Sequence, residues 1–135
     1  QSKNNNRIYN HKNRTERIIN DPRNKNIFVT PHATRKCVPA WFALPFIINE
    51  EYINHYKSFL KHLTDNKVEN RPIITGNFAR QPIFKFLNLD INPEEYKGAE
   101  ILHKRAFFIG LACEQMSEER VNKLIDIFYS YDFTS

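Results

Sequence analysis

Trp41-Phe42-Ala43-Leu44-Pro45-Phe46-Ile47-Ile48, followed at once by Asn49-Glu50-Glu51, is the stretch that decides the fold. Aromatic and β-branched residues this dense, between turn formers, read as a buried strand. Pro45 has no backbone N–H, which predicts an edge strand or a bulge at that point. Asn49 stands where an N-cap is wanted. Glu50 and Glu51 fall in a first turn whose free N–H groups favour negative charge. Ile53, Tyr56, Leu60 and Leu63 then recur at three- and four-residue steps, which predicts one buried helix face.

The same strand-then-helix grammar extends both ways. Upstream, residues 1–6 have no apolar side chain and are expected to be disordered. Arg7 to Asn20 reads as a helix ending before Asp21-Pro22, and Asn26 to Thr30 as a short strand stopped by Pro31. Downstream, Val68 to Thr75 is a strand, and Ile83, Phe84, Phe86 and Leu87 mark a short apolar helix. After a loop over 88–93, Glu94 to Lys104 is helical and Ala106 to Ala112 is a strand. Phe107 and Phe108 alternate there, so one of the two must point away from the core. Ser117 caps a last helix with Glu118 and Glu119 in its first turn and Val121, Leu124, Ile125 and Phe128 as its buried face. Strands alternating with helices predict an α/β fold of two-layer α+β type, a small sheet with helices on one face.

Composition narrows the class of protein. At 135 residues the chain is long enough for one core. Its net charge of +5 is unevenly spread: residues 1–26 hold seven basic and two acidic side chains, and the rest hold thirteen of each. We therefore divide the chain into a basic, Asn-rich, partly helical leader (1–26) and a neutral domain (27–135). No apolar run is long enough to cross a membrane. Cys37 and Cys113 have neither metal-ligand spacing nor the density of a disulfide scaffold, so a reducing cytoplasm is the expected compartment. His55 and His62 lie two turns apart with no carboxylate or cysteine to complete a ligand set, and read as solvated helix histidines. No phosphate-loop or dinucleotide-binding glycine pattern occurs, and no catalytic constellation stands complete.

One segment carries recognition chemistry. Arg71-Pro72-Ile73-Ile74-Thr75-Gly76-Asn77-Phe78-Ala79-Arg80-Gln81-Pro82 runs an apolar strand into Gly-Asn and closes on a second proline. With only three glycines in the chain, Gly76 marks a positive φ or a close approach of something to the backbone. Arg71 and Arg80 offer anion contacts, and Asn77 offers an amide. The plainer alternative is a turn whose polar groups satisfy one another.

Three strings in order (Trp41 to Phe46, Asn70 to Pro82, and His103-Lys104-Arg105-Ala106-Phe107-Phe108-Ile109-Gly110) resemble the C-terminal small domain of the DegT/DnrJ/EryC1/StrS sugar aminotransferases. The Arg-Pro…Gly-Asn…Arg-Gln-Pro string is most similar to the nucleotide-4-keto-6-deoxyhexose 3-dehydratase subgroup. The resemblance runs from about Arg7 to Phe133. It implies a domain of the aspartate-aminotransferase fold that closes over a pyridoxal 5'-phosphate site in a larger domain. That larger domain, with its active-site lysine or the histidine that replaces it, is expected ahead of Gln1, so the chain is expected to be an inactive fragment. The implied substrate is a nucleotide-linked 4-keto sugar, in deoxysugar and lipopolysaccharide O-antigen biosynthesis. The implied assembly is a homodimer, with no membrane and no nucleic acid partner. Arg71, Gly76, Asn77, Phe78, Arg80 and His103 become substrate-binding candidates; no catalytic or metal residue is assigned. The alternative is a non-catalytic basic module that contacts nucleic acid or a protein partner through its leader.

Overall fold

In the computed structural model, which describes residues 2–135, four antiparallel strands form one sheet. They are β1 (Phe28–Val29), β2 (Ala43–Ile48), β3 (Asn70–Pro72) and β4 (Ala106–Gly110), ordered β1-β2-β4-β3. Five helices accompany them: α1 (Ser2–Ile19), α2 (Tyr56–Asp65), α3 (Ile83–Phe86), α4 (Lys97–Arg105) and α5 (Glu118–Tyr129). The expected mixed fold, a small sheet layered with helices, is the one observed.

β2 is an internal strand, not the edge that Pro45 predicted. β1 pairs only with Ile47 and Ile48, so its ladder has ended before Pro45. The Pro45 carbonyl turns to that side and accepts the Thr30 hydroxyl at 2.8 Å. The missing N–H therefore faces a place where no ladder runs, and pairing of β2 with β4 continues unbroken from Ala43–Gly110 to Ile47–Ala106.

Alternation along β2 and β4 puts Leu44, Phe46, Ile48, Phe107 and Ile109 on one face, all buried. Onto that face α1 brings Ile18, α2 brings Phe59 and Leu63, and α5 brings Val121, Leu124, Ile125 and Phe128. Aromatic rings dominate the centre: Phe28 lies 5.1 Å from Phe59 and 5.4 Å from Phe128, with Phe46 5.2 Å from Phe128. Each such ring contributes about 2–3 kcal/mol by leaving water, and the tilted and edge-on geometries add to that. Phe107 is the inward member of its pair. Phe108 turns to the opposite face, where it meets Phe42 edge-on at 5.6 Å.

Several boundaries differ from the sequence reading, each for a local reason. The chain is helical from Ser2, not disordered to residue 6; Gln1 lies outside the described residues. The helix is anchored downstream, where Arg7 donates to the Cys113 sulfur at 3.0 Å and Asn10 to the carbonyls of Ala112 and Glu114 at 3.0 and 2.6 Å. Asn49 makes no side-chain cap. Its amide donates instead to the Asn26 carbonyl, and residues 50–55 form a 3-10 turn before α2 begins. That shift in pitch changes the buried face of the helix. Phe59 and Leu63 are buried, whereas Ile53, expected inside, is exposed. β3 stops at Pro72, which cannot donate to a ladder, so the strand expected to Thr75 becomes a turn. His55 and His62 are half-buried, not solvated. The His55 ring lies 3.2 Å from the Tyr131 hydroxyl, and His62 Nε2 lies 2.8 Å from the Ile127 carbonyl.

Candidate functional site

From β3 the chain turns back through Ile73 to Gly76, closed by the Gly76 N–H donating to the Ile73 carbonyl at 2.6 Å. Gly76 has φ +58°, in the left-handed region. A Cβ built on it would stand 2.6 Å from His103 Nδ1 and 2.8 Å from the α-carbon of His103. Both reasons for a glycine thus apply together: the backbone conformation, and the close approach of α4. Gly76 and His103, far apart in sequence, are neighbours.

Asn77 follows and is almost fully enclosed, at 1% exposure. Its Oδ1 accepts the Ala79 N–H at 3.0 Å, starting the 3-10 turn Phe78–Arg80. Its Nδ2 donates to the Pro93 carbonyl at 2.8 Å and to Glu100 Oε1 at 2.6 Å. Glu100 is the centre of the arrangement. Arg80 grips it with two nitrogens, Nε to Oε1 at 2.6 Å and Nη2 to Oε2 at 2.9 Å. Lys104 reaches Oε2 at 3.0 Å from the next turn of α4. The hydrogen bonds from Arg80, Asn77 and Lys104 hold the Glu100 carboxyl far below the usual carboxylate range, and Arg80 gives the largest effect. Because Pro93 and Glu100 lie on either side of the α4 N-terminus, the network staples the Gly76–Asn77 turn to α4.

The remaining candidates are placed differently. Phe78 is exposed and meets Phe84 edge-on at 5.4 Å. Arg71 is exposed on the other sheet face, paired with Glu69 at 2.7 Å, and lines a cleft of about 240 Å³ with Phe42 and Phe108. Glu100 and Lys104 instead line an open cleft of about 360 Å³ with Glu50, Ile53 and Arg105. The structure thus brings Gly76 to His103, and Asn77 to Arg80, while Arg71 belongs to a different cleft. Glu100 was not a candidate from sequence. The one signal it left in the sequence was the Glu-to-Lys spacing of four to Lys104. Around the turn, Ile74, Phe86, Leu87, Leu89 and Tyr96 expose large apolar surface.

No protein-family model matches the chain. In sequence it is similar to the GDP-4-keto-6-deoxy-D-mannose 3-dehydratase of Escherichia coli, 31% identical over 72 residues, which is 53% of this chain and 18% of that protein. The enzyme of the same name from Yersinia pseudotuberculosis is 31% identical over 84 residues, 62% of this chain and 21% of that one. In fold it is similar to the E. coli GDP-4-keto-6-deoxy-D-mannose-3-dehydratase solved with bound hydrated PLP, at a TM-score of 0.70 and 21% identity over 92% of this chain. A second GDP-4-keto-6-deoxymannose-3-dehydratase structure, with a trapped PLP-glutamate geminal diamine, matches at a TM-score of 0.68 and 22% identity over 90% of the chain. In both cases the chain covers 31% of the solved protein. The likeness to the 3-dehydratase subgroup first read in the Gly-Asn string therefore holds in backbone as well as in sequence. This chain is similar, over most of its length, to one third or less of the GDP-4-keto-6-deoxy-D-mannose 3-dehydratases.

Proposed function

We propose that this chain is the small C-terminal domain of a pyridoxal-phosphate-dependent nucleotide-sugar enzyme, a 4-keto-6-deoxyhexose 3-dehydratase, acting in deoxysugar and O-antigen synthesis. Residues 27–135 form the small domain, and 1–26 are its leader, which carries α1 (Ser2–Ile19). The intact enzyme is a cytoplasmic homodimer. The observation that carries this reading is the coincidence of 31% identity with a backbone match over nine-tenths of the chain, to enzymes of one name.

The described residues do not by themselves fit the cofactor. Lys97 and Lys104 border an open cleft, and the Lys104 ammonium is held on Glu100. Of the two clefts described above, the one that holds the lysines is open, and the one beside Arg71 has no lysine. The cofactor's carbanion chemistry therefore belongs to the larger domain, and no step of it is assigned here. What this domain supplies is a wall. The Gly76–Asn77 turn, held rigid by Glu100, presents Phe78 for packing against a sugar and His103 as a polar lining group. Arg71 is the cation available to a phosphate or sugar oxygen, because only an exposed acid competes for it. Arg80 and Asn77 act on substrate through the shape of the turn, since their polar groups are engaged with Glu100.

A chimera tests the proposal. The E. coli GDP-4-keto-6-deoxy-D-mannose 3-dehydratase is rebuilt with this chain in place of its own C-terminal third. Consumption of GDP-4-keto-6-deoxy-D-mannose is then followed in the presence of glutamate and pyridoxal phosphate. The expected result is turnover within about a hundredfold of the parent. A folded chimera that shows the cofactor's absorbance but consumes no substrate overturns the reading.

A further inference from the structure

The segment between β3 and α4 is built inside out. From Ile73 to Tyr96 the one buried side chain is polar, Asn77, while large apolar residues face outward. α3 and the turn that ends it carry a group of them: Phe86 is 87% exposed, Leu87 56%, Leu89 51% and Ile83 44%. These side chains stand on a backbone that is fully made. The Asn88 N–H donates to the Lys85 carbonyl at 3.2 Å and the Leu89 N–H to the Phe84 carbonyl at 2.9 Å, around Asn88 at φ +53°. That is a Schellman turn, a helix end whose last carbonyls are satisfied. Phe84, half-buried, holds the turn from within by meeting Phe78 edge-on at 5.4 Å. The apolar face is therefore presented in one shape, with little ordering left to do on binding.

Its size and its charges say what fits it. The four side chains together expose roughly 450 Å² of apolar surface, at the upper end of what a monomer tolerates. A standard interface takes about 800 Å² from each partner, of which about 500 Å² is apolar in homodimers. One such face on each of two chains thus supplies the apolar core of a dimer. Lys85 immediately precedes Phe86, and Asp90 immediately follows Leu89. Neither enters an ion pair among the described residues. The run Lys85-Phe86-Leu87-Asn88-Leu89-Asp90 therefore has opposite charges at its ends and apolar groups between them. A two-fold axis exchanges the ends, setting each Lys85 against the partner's Asp90 and each Phe86 against the partner's Leu89. That is the self-complementarity an isologous contact requires.

We propose that the α3 face, formed by Ile83, Phe86, Leu87 and Leu89 with Lys85 and Asp90 at its edges, is a two-fold interface between two copies of this chain. It gives a face to the homodimer of the sugar-enzyme reading, yet it is measured without substrate or cofactor, so either can fail alone. The experiment is sedimentation equilibrium of the 135-residue chain from about 10 µM to about 1 mM. The expected result is a monomer–dimer equilibrium that stops at the dimer, with Kd on the order of 100 µM. Phe86→Asp should give a folded monomer, because its side chain lies outside the core; Leu87→Lys stands in if Phe86→Asp does not fold. Lys85→Glu and Asp90→Lys should each weaken association about tenfold or more, since like charges then face each other twice in the dimer. An equimolar mixture of these two variants should associate as tightly as the wild type, because both pairs in the mixed dimer are again opposite in sign. A wild-type chain that stays monomeric over the whole range overturns the proposal and leaves the face to a different protein surface. Growth past the dimer also overturns it, as does undiminished association of Phe86→Asp, or of Leu87→Lys where that is the folded variant. A mixture that associates no better than its two components overturns the two-fold pairing of Lys85 with Asp90.

Discussion

Gly76 lies so close to His103 that a single added carbon would stand 2.6 Å from the ring Nδ1 and 2.8 Å from the α-carbon. The first clash is with a side chain that can swing away; the second is with backbone. Gly76→Ala must therefore either push α4 off the turn or abandon φ +58°. Strain and overpacking together predict a loss of about 3 kcal/mol, read as a lower denaturant midpoint with unchanged slope. His103→Ala in the same chain should recover only a minor part, because the clash with the backbone of residue 103 remains. Full recovery in the double variant would mean that the imidazole alone sets the requirement.

Acid should release the same turn from α4. The Glu100 carboxyl titrates well below its ordinary value of 4.5, so the folded state binds its proton less readily than the unfolded state. The stability it provides is complete above about pH 4.5 and is lost as pH falls further. Glu100→Gln should lower the midpoint at pH 7 and lose this part of the acid dependence. If the two proteins show parallel curves below pH 4.5, Glu100 is not the group that staples the turn.

His11 predicts a second, separate window. Burial against Trp41 pushes its pKa from 6.5 down to about 4, so the folded chain resists protonating it. Stability is then full above about pH 6.5 and falls as the pH drops toward 4. After allowance for partial solvent screening, the loss is on the order of 2 kcal/mol. His11→Phe keeps the stack on Trp41 and should flatten the curve between these two values. Urea midpoints at half-unit steps from pH 4 to 7 resolve this window from that of Glu100.

The parts of the fold legible in the sequence were those set by local chemistry. The α5 cap at Ser117 and its face of Val121, Leu124, Ile125 and Phe128 follow from spacing alone and occur as read. Pro45 misled because a proline's tolerance depends on which neighbour its N–H would face, and the brevity of β1 is a tertiary fact. Phe59 was missed because the 3-10 turn over 50–55 offsets the helical phase before α2 starts. At the candidate site, the rarity of glycine announced a constraint at Gly76. The identity of the constraint, His103, depends on how α4 docks. Glu100 stayed hidden for a similar reason: a carboxylate on a helix ordinarily faces water, and only three converging donors make its burial tolerable.

Arg71 and Arg80 offer the sharpest separation of binding from scaffolding. Both pair with a carboxylate, but Glu69 is exposed and Glu100 is buried. Arg71→Ala breaks a surface pair, and its cost in stability should be within about 0.5 kcal/mol. Arg80→Ala strips Glu100 of its two-pronged partner, leaving a buried carboxylate on Asn77 and Lys104, and should lower the denaturation midpoint clearly. In the chimeric dehydratase the order reverses for substrate. Arg71→Ala should raise KM for the nucleotide sugar roughly tenfold or more, as expected for losing a charge-assisted contact to an oxygen of the ligand. A conservative Arg80→Lys, which keeps the charge but loses the fork, should change stability more than KM. If Arg71→Ala leaves KM unmoved while Arg80→Lys raises it at unchanged stability, the roles are exchanged: Arg80 would be the residue that meets substrate, and the cleft beside Phe42 and Phe108 would lie outside the site.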